Sequence, residues 1–202
     1  MKTYVIDGIE YPSVTEILKV INKPDLVEWF KRQDYPTILE ESEKAINIGD
    51  IVHDTIHKLL KGERVELKIK PEYVPPVKNC INAFMEWKKQ KGLEVVETER
   101  IVVHRKYFYA GTFDCLARVD GGLILLDWKT SGAIYKEYFV QLAAYKEAYE
   151  YETNQPGAIK ECWVVRFGKN GEFEVQKAEN HKKLFALFLY AYELWKYFIR
   201  GS

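Results

Sequence analysis

The strongest constraint on this chain is a pair of β-prone runs, Tyr107 to Val119 and Leu123 to Trp128, separated only by Asp120-Gly121-Gly122. Both runs are rich in branched and aromatic residues, which fit a pleated surface, and a short Gly-containing turn accepts the positive φ angles of a tight hairpin. The two are therefore expected side by side and antiparallel. A third run, Val95 to Val103, precedes them, so three strands follow one another along the chain. The period then changes. Phe139, Leu142, Ala143, Tyr145 and Tyr149 have helical spacing up to a break at 154–157. Cys162 to Phe167 and Phe173 to Val175 then read as a second hairpin across 168–171, and a long apolar helix from about Asn180 ends the chain.

The residues before this sheet read mainly as helix. Tyr4 to Tyr11 holds Asp7-Gly8 between two short β-prone runs, the pattern of a small hairpin. Ser13-Val14-Thr15-Glu16 has capping-box spacing, which predicts a helix from Ser13 to near Lys23-Pro24, followed by a short helix carrying Leu26, Trp29 and Phe30. From about Ile38 to Leu60 the positions Ala45, Ile48, Val52, Ile56 and Leu59 keep helical spacing up to Gly62, placing His53 inside a helix or at a break near Gly49. Pro71, Pro75 and Pro76 mark 68–76 as a connector, after which Ile81, Phe84, Met85 and Trp87 predict a helix ending at Gly92. With no internal repeat and no dividing linker, the expectation is one domain over 1–202. Its parts are a mainly helical portion (1–92), a sheet with its helix (93–177) and a C-terminal helix (178–200). The fold class is α/β, with a mixed central sheet flanked by helices.

Lys plus Arg and Asp plus Glu number 30 each, so the formal net charge is zero and any polyanion must be met by a local groove rather than by bulk charge. Cys80, Cys115 and Cys162 are far apart and lack C-x-x-C spacing, which argues against a disulfide framework, a zinc ribbon or an iron–sulfur cluster and for a reducing compartment. The opening residues contain no apolar stretch of signal-peptide length, and the longest apolar run, Leu184 to Tyr192, is short of the ~20 residues that span a bilayer. A cytoplasmic protein without membrane association is expected.

The residues that carry chemistry lie on the first hairpin. Asp114 and Asp127 stand on neighbouring strands, and two carboxylates there suit a hard divalent cation. Asp127 and Lys129 are two apart and project from the same face of the sheet. Two acids, a cation and an ammonium in one pocket suit phosphodiester hydrolysis, in which a metal activates water and neutralises developing charge while the lysine assists. Gln141 and Tyr145 lie one helical turn apart on the next helix and face together.

Gly111-x-x-Asp114, Asp127-x-Lys129 and Gln141-x-x-x-Tyr145, in that order, resemble the motifs of RecB-family nucleases of the PD-(D/E)xK superfamily. The segments Tyr11 to Thr15, Leu26 to Trp29 and Gly49 to His53 are similar to the opening of mitochondrial genome-maintenance exonucleases and of related phage and archaeal viral exonucleases, so the likeness covers roughly residues 9 to 150. It implies a restriction-endonuclease-like core of order α-β-β-β-α-β. It also implies His53, Asp114, Asp127 and the main chain of Trp128 as ligands of one or two Mg²⁺ or Mn²⁺ ions. Asp114, Asp127 and Lys129 would form the catalytic set, with Gln141, Tyr145 and Thr130 toward the substrate. The implied activity is DNA hydrolysis, on single strands with a free end. The iron–sulfur cysteines of CRISPR adaptation nucleases are missing from this pattern.

Other patterns compete. His53 and His57, with Asp54 between them, mimic the zinc-peptidase H-E-x-x-H, but the catalytic Glu is replaced and no third ligand is apparent. Glu99, on the strand before Asp114, is a candidate extra carboxylate. His104, Arg105, Lys106, Lys68, Lys70, Arg118 and Lys136 are candidate phosphate contacts, and Trp128, Tyr135 and Tyr138 candidate stacking platforms for unpaired bases. A restriction-type endonuclease on the same core, or a nucleic-acid-binding subunit without catalysis, remain as alternatives.

Overall fold

The structure is a computed structural model that describes residues 1–21, 27–28 and 31–200. The chain opens with a hairpin, β1 (Thr3–Ile6) and β2 (Ile9–Pro12), turned by Asp7 and Gly8 at φ 52° and 77°. A short helix, α1 (Val14–Ile17), runs into a 3-10 turn, Leu18–Val20. Two long helices follow, α2 (Tyr35–Leu60) and α3 (Val74–Lys91). Then come β3 (Glu94–His104), β4 (Tyr109–Val119), β5 (Gly122–Lys129), α4 (Lys136–Thr153), β6 (Glu161–Phe167), β7 (Phe173–Lys177) and α5 (His181–Trp195).

The five later strands form one sheet in sequence order, antiparallel throughout except for the parallel pair β5–β6, which α4 connects. The turn at the head of the β4–β5 hairpin is the Asp120-Gly121 pair, both at positive φ. Alternation along β5 sends Leu125 to one face and Ile124, Leu126 and Trp128 to the other. On the first face α1, α4 and α5 bury Val14, Leu142, Phe188 and Trp195 against Phe113, Leu116 and Val164. On the second, α2 and α3 bury Val52, Ile56, Phe84 and Trp87 against Cys115, Leu126, Trp128 and Phe167. The result is a five-stranded mixed sheet between two helical layers, the restriction-endonuclease-like arrangement expected from the sequence. Trp87 lies edge-on to Trp128 with ring centroids 5.5 Å apart, and Phe84 edge-on to Phe167 at 5.6 Å. Such pairs add roughly 0.5–1.5 kcal/mol each beyond the area they bury. The three cysteines are free and buried, Cys80 and Cys115 in the second layer and Cys162 in the first.

Several local expectations change in the folded context. The helix at Ser13 is α-helical only to Ile17 and tightens to a 3-10 turn that ends at Val20, before Lys23, and its capping box is only half made. Ser13 Oγ accepts the Glu16 N–H at 3.0 Å, but the Ser13 N–H donates to the Lys2 carbonyl and the Glu16 carboxylate turns to the Lys2 N–H and the Lys19 ammonium. The connector at 68–76 is shorter than its prolines suggest. Pro71 opens a 3-10 turn and Pro75 and Pro76 occupy the first turn of α3, where their missing N–H groups have no helical partner to lose. Helix α2 begins at Tyr35, capped by Asp34 accepting the Thr37 N–H at 2.9 Å, and continues unbroken through Gly49, so His53 is inside the helix. The helix expected around Leu26, Trp29 and Phe30 falls on residues outside those described.

At Gly111 the sheet is in close contact with Tyr145 of α4. A Cβ built there would fall on the edge of the Tyr145 ring, which is itself 3% exposed and fixed in the core. Gly111→Ala is therefore expected to destabilise the protein by roughly 1–3 kcal/mol, the usual cost of overpacking. Gly132→Ala, at a position facing open space, should melt like wild type. Thermal unfolding of the two variants checks this, and equal melting temperatures would refute the packing account.

Candidate active site

The sheet is irregular at one place, and the site is built there. The β4–β5 ladder runs from Val119–Gly122 to Cys115–Leu126 and then stops. At the next position Asp114 puts its own side chain into the gap, its Oδ2 accepting the Trp128 N–H at 2.6 Å. Side-chain alternation also breaks here. Phe113 packs edge-on to Tyr149 of α4, while Cys115, two residues on, lies in the α2–α3 layer. A matching break occurs on β3. Thr98 hydrogen-bonds His57 of α2 at 2.7 Å, whereas Arg100 lies over the Tyr149 ring of α4. Between them Glu99 has φ 50°, a left-handed backbone that costs a non-glycine residue roughly 1–2 kcal/mol. Pairing of Thr98 with Cys115 and of Arg100 with Phe113 sets Glu99 across from Asp114, so the two breaks coincide.

Helix α2 brings His53 to this point, its Nδ1 3.3 Å from Asp114 Oδ1. Donor atoms of His53, Glu99 and Asp114 all lie within 4.8 Å of one another, and among the described residues this is the group of three that could hold an ion. Burial alone would lower the His53 pKa, but the Asp114 charge and hydrogen bond reverse this and raise it to about 9. Burial would likewise raise the Asp114 pKa, yet His53 and Lys129 hold that carboxyl below its ordinary value. Glu99 stands at the solvent-facing rim, where partial burial and the Asp114 charge push it up to about 7.

The second half of the site faces α4. Asp127, 2% exposed at the end of β5, has Oδ2 2.7 Å from the Lys129 ammonium and Oδ1 accepting the Gln141 Nε2–H at 2.9 Å. Burial and the neighbouring Asp114 raise the Asp127 pKa. Lys129 is partly buried, which would lower its pKa, but Asp127 and Asp114 outweigh burial and the ammonium is held more firmly than usual. It also lies over the Tyr138 ring, 4.6 Å from the centroid, a cation–π contact that leaves Tyr138 supporting the lysine. Gln141 donates as well to the Tyr145 hydroxyl at 3.2 Å.

The fold thus brings His53, Asp114, Asp127, Lys129 and Gln141 to one opening in the sheet, with Tyr145 buried behind Gln141 rather than lining an open surface. Thr130 follows Lys129 and packs toward the backbone of α2, its Oγ1 3.4 Å from where a Cβ on Gly49 would be. The Trp128 side chain is 1% exposed in the α2–α3 layer and is unavailable for base stacking; only its main chain reaches the site. Two other expected contacts are spent elsewhere: His104 is buried and stacked on Tyr151 at 4.3 Å, and Arg105 is ion-paired with Asp7 at 2.6 Å. His53 and His57 turn to different partners, Asp114 and Thr98, so they do not share an ion as a zinc-peptidase pair would. Glu99 enters the group although no periodic pattern marks it, because its position depends on the break in β3.

Two carboxylates and an imidazole held this close, with the Glu99 proton retained to about pH 7, form a donor set short of positive charge. One imidazole nitrogen and two carboxylate oxygens could hold a divalent cation.

No family model matches the chain. It is 28% identical to the human protein mitochondrial genome maintenance exonuclease 1 over 79% of this chain, and it spans about half (50%) of that relative's length. In solved structures the fold is similar to that of a protein from Eubacterium rectale described as a candidate exonuclease, with a TM-score of 0.53 and 11% identity over 91% of this chain and 77% of the other. An alkaline exonuclease from Laribacter hongkongensis gives a looser likeness, TM-score 0.40 at 13% identity over 95% and 92% of the two chains.

These charge couplings predict a pH dependence for the metal-free protein. The folded state keeps the His53 proton to about pH 9 against 6.5 in the unfolded chain, so this contribution is whole below pH 6.5 and is lost as pH rises through 9. Glu99, raised to about 7 from 4.5, adds a decline lower in the range. Asp114, lowered from 3.8, acts oppositely and loses its contribution only in stronger acid. In EDTA, stability is expected to fall by up to about 3 kcal/mol between pH 6.5 and 9. In His53→Gln that upper decline should vanish. Parallel melting curves for the two proteins across this range would rule out the coupling.

Proposed function

We propose that this protein is a divalent-metal-dependent deoxyribonuclease of the RecB-like branch, an exonuclease that hydrolyses phosphodiester bonds of single-stranded DNA from a free end. The observation that carries the reading is the convergence of Asp114, Asp127 and Lys129 where β4 and β5 part, with Gln141 of α4 fastened to Asp127. The likeness to a relative named as an exonuclease points the same way.

In this reading Asp114, Asp127, His53 and the Trp128 carbonyl would hold Mg²⁺ or Mn²⁺. When bound, the cation lowers the pKa of the attacking water and neutralises charge on the phosphoryl oxygens. The chain's own residues do the rest. Lys129 stays an ammonium at neutral pH because Asp127 and Asp114 outweigh its burial, so it stabilises negative charge in the transition state rather than taking a proton from water. Gln141 orients the Asp127 carboxylate, and Tyr145, whose hydroxyl burial keeps protonated, holds Gln141. Tyr135, exposed and edge-on to Tyr138 at 5.6 Å, offers a ring for stacking beside the site. Stacking at roughly 1–3 kcal/mol per base suits a flexible single strand, and zero net charge gives little long-range attraction for the denser charge of a duplex. Three free, buried thiols suit a reducing cytoplasm.

Lys129→Ala and Asp127→Asn should each fold and lose at least about a hundredfold in cleavage rate, as removal of one transition-state stabiliser does elsewhere. Near-wild-type cleavage by Lys129→Ala would end the assignment. EDTA should stop the wild-type enzyme and Mg²⁺ or Mn²⁺ restore it. Given linear and covalently closed single strands, the enzyme should degrade only the linear form. Equal rates on both would replace the exonuclease with an endonuclease on the same core.

A further inference from the structure

The motifs that suggest a cation account for Asp114 and Asp127, and both lie on the β4–β5 hairpin. Their side chains point different ways. Asp127 is occupied on the α4 side by Lys129 and Gln141, whereas Asp114 Oδ1 faces α2 and meets His53. On that side the nearest further donor is Glu99 of β3, within 4.8 Å of the donor atoms of both His53 and Asp114, while Asp127 is not a member of that group.

We propose that Glu99 is a cation ligand contributed by β3, and that with His53 and Asp114 it completes the α2 side of the cation site. This deepens the metal-dependent reading of the same site and rests on it. Three donors within 4.8 Å, two hard carboxylate oxygens and one imidazole nitrogen, match a small six-coordinate ion that accepts nitrogen. The imidazole favours Mn²⁺, since Mg²⁺ prefers oxygen and surrenders its water shell reluctantly. Glu99 is placed for this by an unusual backbone. Continued alternation from Thr98 would put Arg100 beside it on the α2 side, but Arg100 lies over Tyr149 on the α4 side, and the switch happens at Glu99 with its φ of 50°. The same switch happens at Asp114 on the facing strand, which sets the two carboxylates across from each other.

The test is Mn²⁺ binding to the 202-residue chain, by calorimetry and by pulsed electron paramagnetic resonance, in wild type, Glu99→Gln, Glu99→Gly, Asp127→Asn and His53→Gln. Glycine takes positive φ freely, so Glu99→Gly removes the carboxylate without asking the backbone to move and guards against a folding defect in Glu99→Gln. Both Glu99 variants should bind Mn²⁺ at least tenfold more weakly than wild type. Asp127→Asn should keep the nitrogen modulation of a His53-bound ion, and His53→Gln should lose it. Binding by both Glu99 variants within twofold of wild type, or no nitrogen modulation in wild type, would overturn the proposal. A DNA-digestion assay on the same samples separates the two readings. If wild type cuts no DNA but the Glu99 variants lose Mn²⁺, the nuclease assignment fails and the ligand assignment stands. If wild type cuts and the variants bind Mn²⁺ normally, the reverse holds.

Discussion

One hydrogen bond organises this molecule: the Trp128 N–H donating to the Asp114 carboxylate where the β4–β5 ladder ends. A buried main-chain N–H left without a partner costs about 1–3 kcal/mol, so two strands cannot simply separate inside a core. Asp114 lets them separate by supplying the missing acceptor from a side chain. The opening that results is the space in which His53, Glu99, Asp127 and Lys129 meet. A regular ladder would have given a more uniform sheet and no room for the charges.

The charges are arranged in two linked halves. On the α2 side, His53 and Asp114 stabilise each other's charged forms, with Glu99 at the rim. On the α4 side, Asp127 and Lys129 do the same under cover of Gln141, Tyr145 and Tyr138. Each half is a buried ion pair, and such pairs repay their desolvation only when further hydrogen bonds complete them. The aromatic layer formed by Trp87, Trp128, Phe84 and Phe167 lies beneath. It holds Trp128 rigidly, and with it the N–H on which the opening depends.

The sequence was legible where local rules decide. Asp120-Gly121 dictated the hairpin, the unbroken apolar run from Leu123 to Leu126 dictated β5, and Asp127 and Lys129 duly share a face because β5 remains regular to its end. It was illegible where a distant partner decides. The capping box at Ser13 is half made because Lys2, from another element, takes the groups that should have closed it. Glu99 could be named as a candidate carboxylate on the strand before Asp114, but the break in period that joins it to the group carries no periodic signal. The resemblance sets Tyr145 toward the substrate beside Gln141, whereas the missing side chain at Gly111, thirty-four residues earlier in the chain, admits its ring to the core.

The two oxygens of Asp114 have different employers, one the main chain of Trp128 and the other the chemistry at His53. Lys129 has no such divided duty, and its partner Asp127, with its pKa already raised, can go neutral by taking up a proton when the ammonium is gone. Drift therefore has different latitude at the two positions. In a descendant of this chain Lys129 has the freer hand, while position 114 must keep a side chain that accepts the Trp128 N–H, so an acceptor surviving there would be a record of architecture rather than of chemistry.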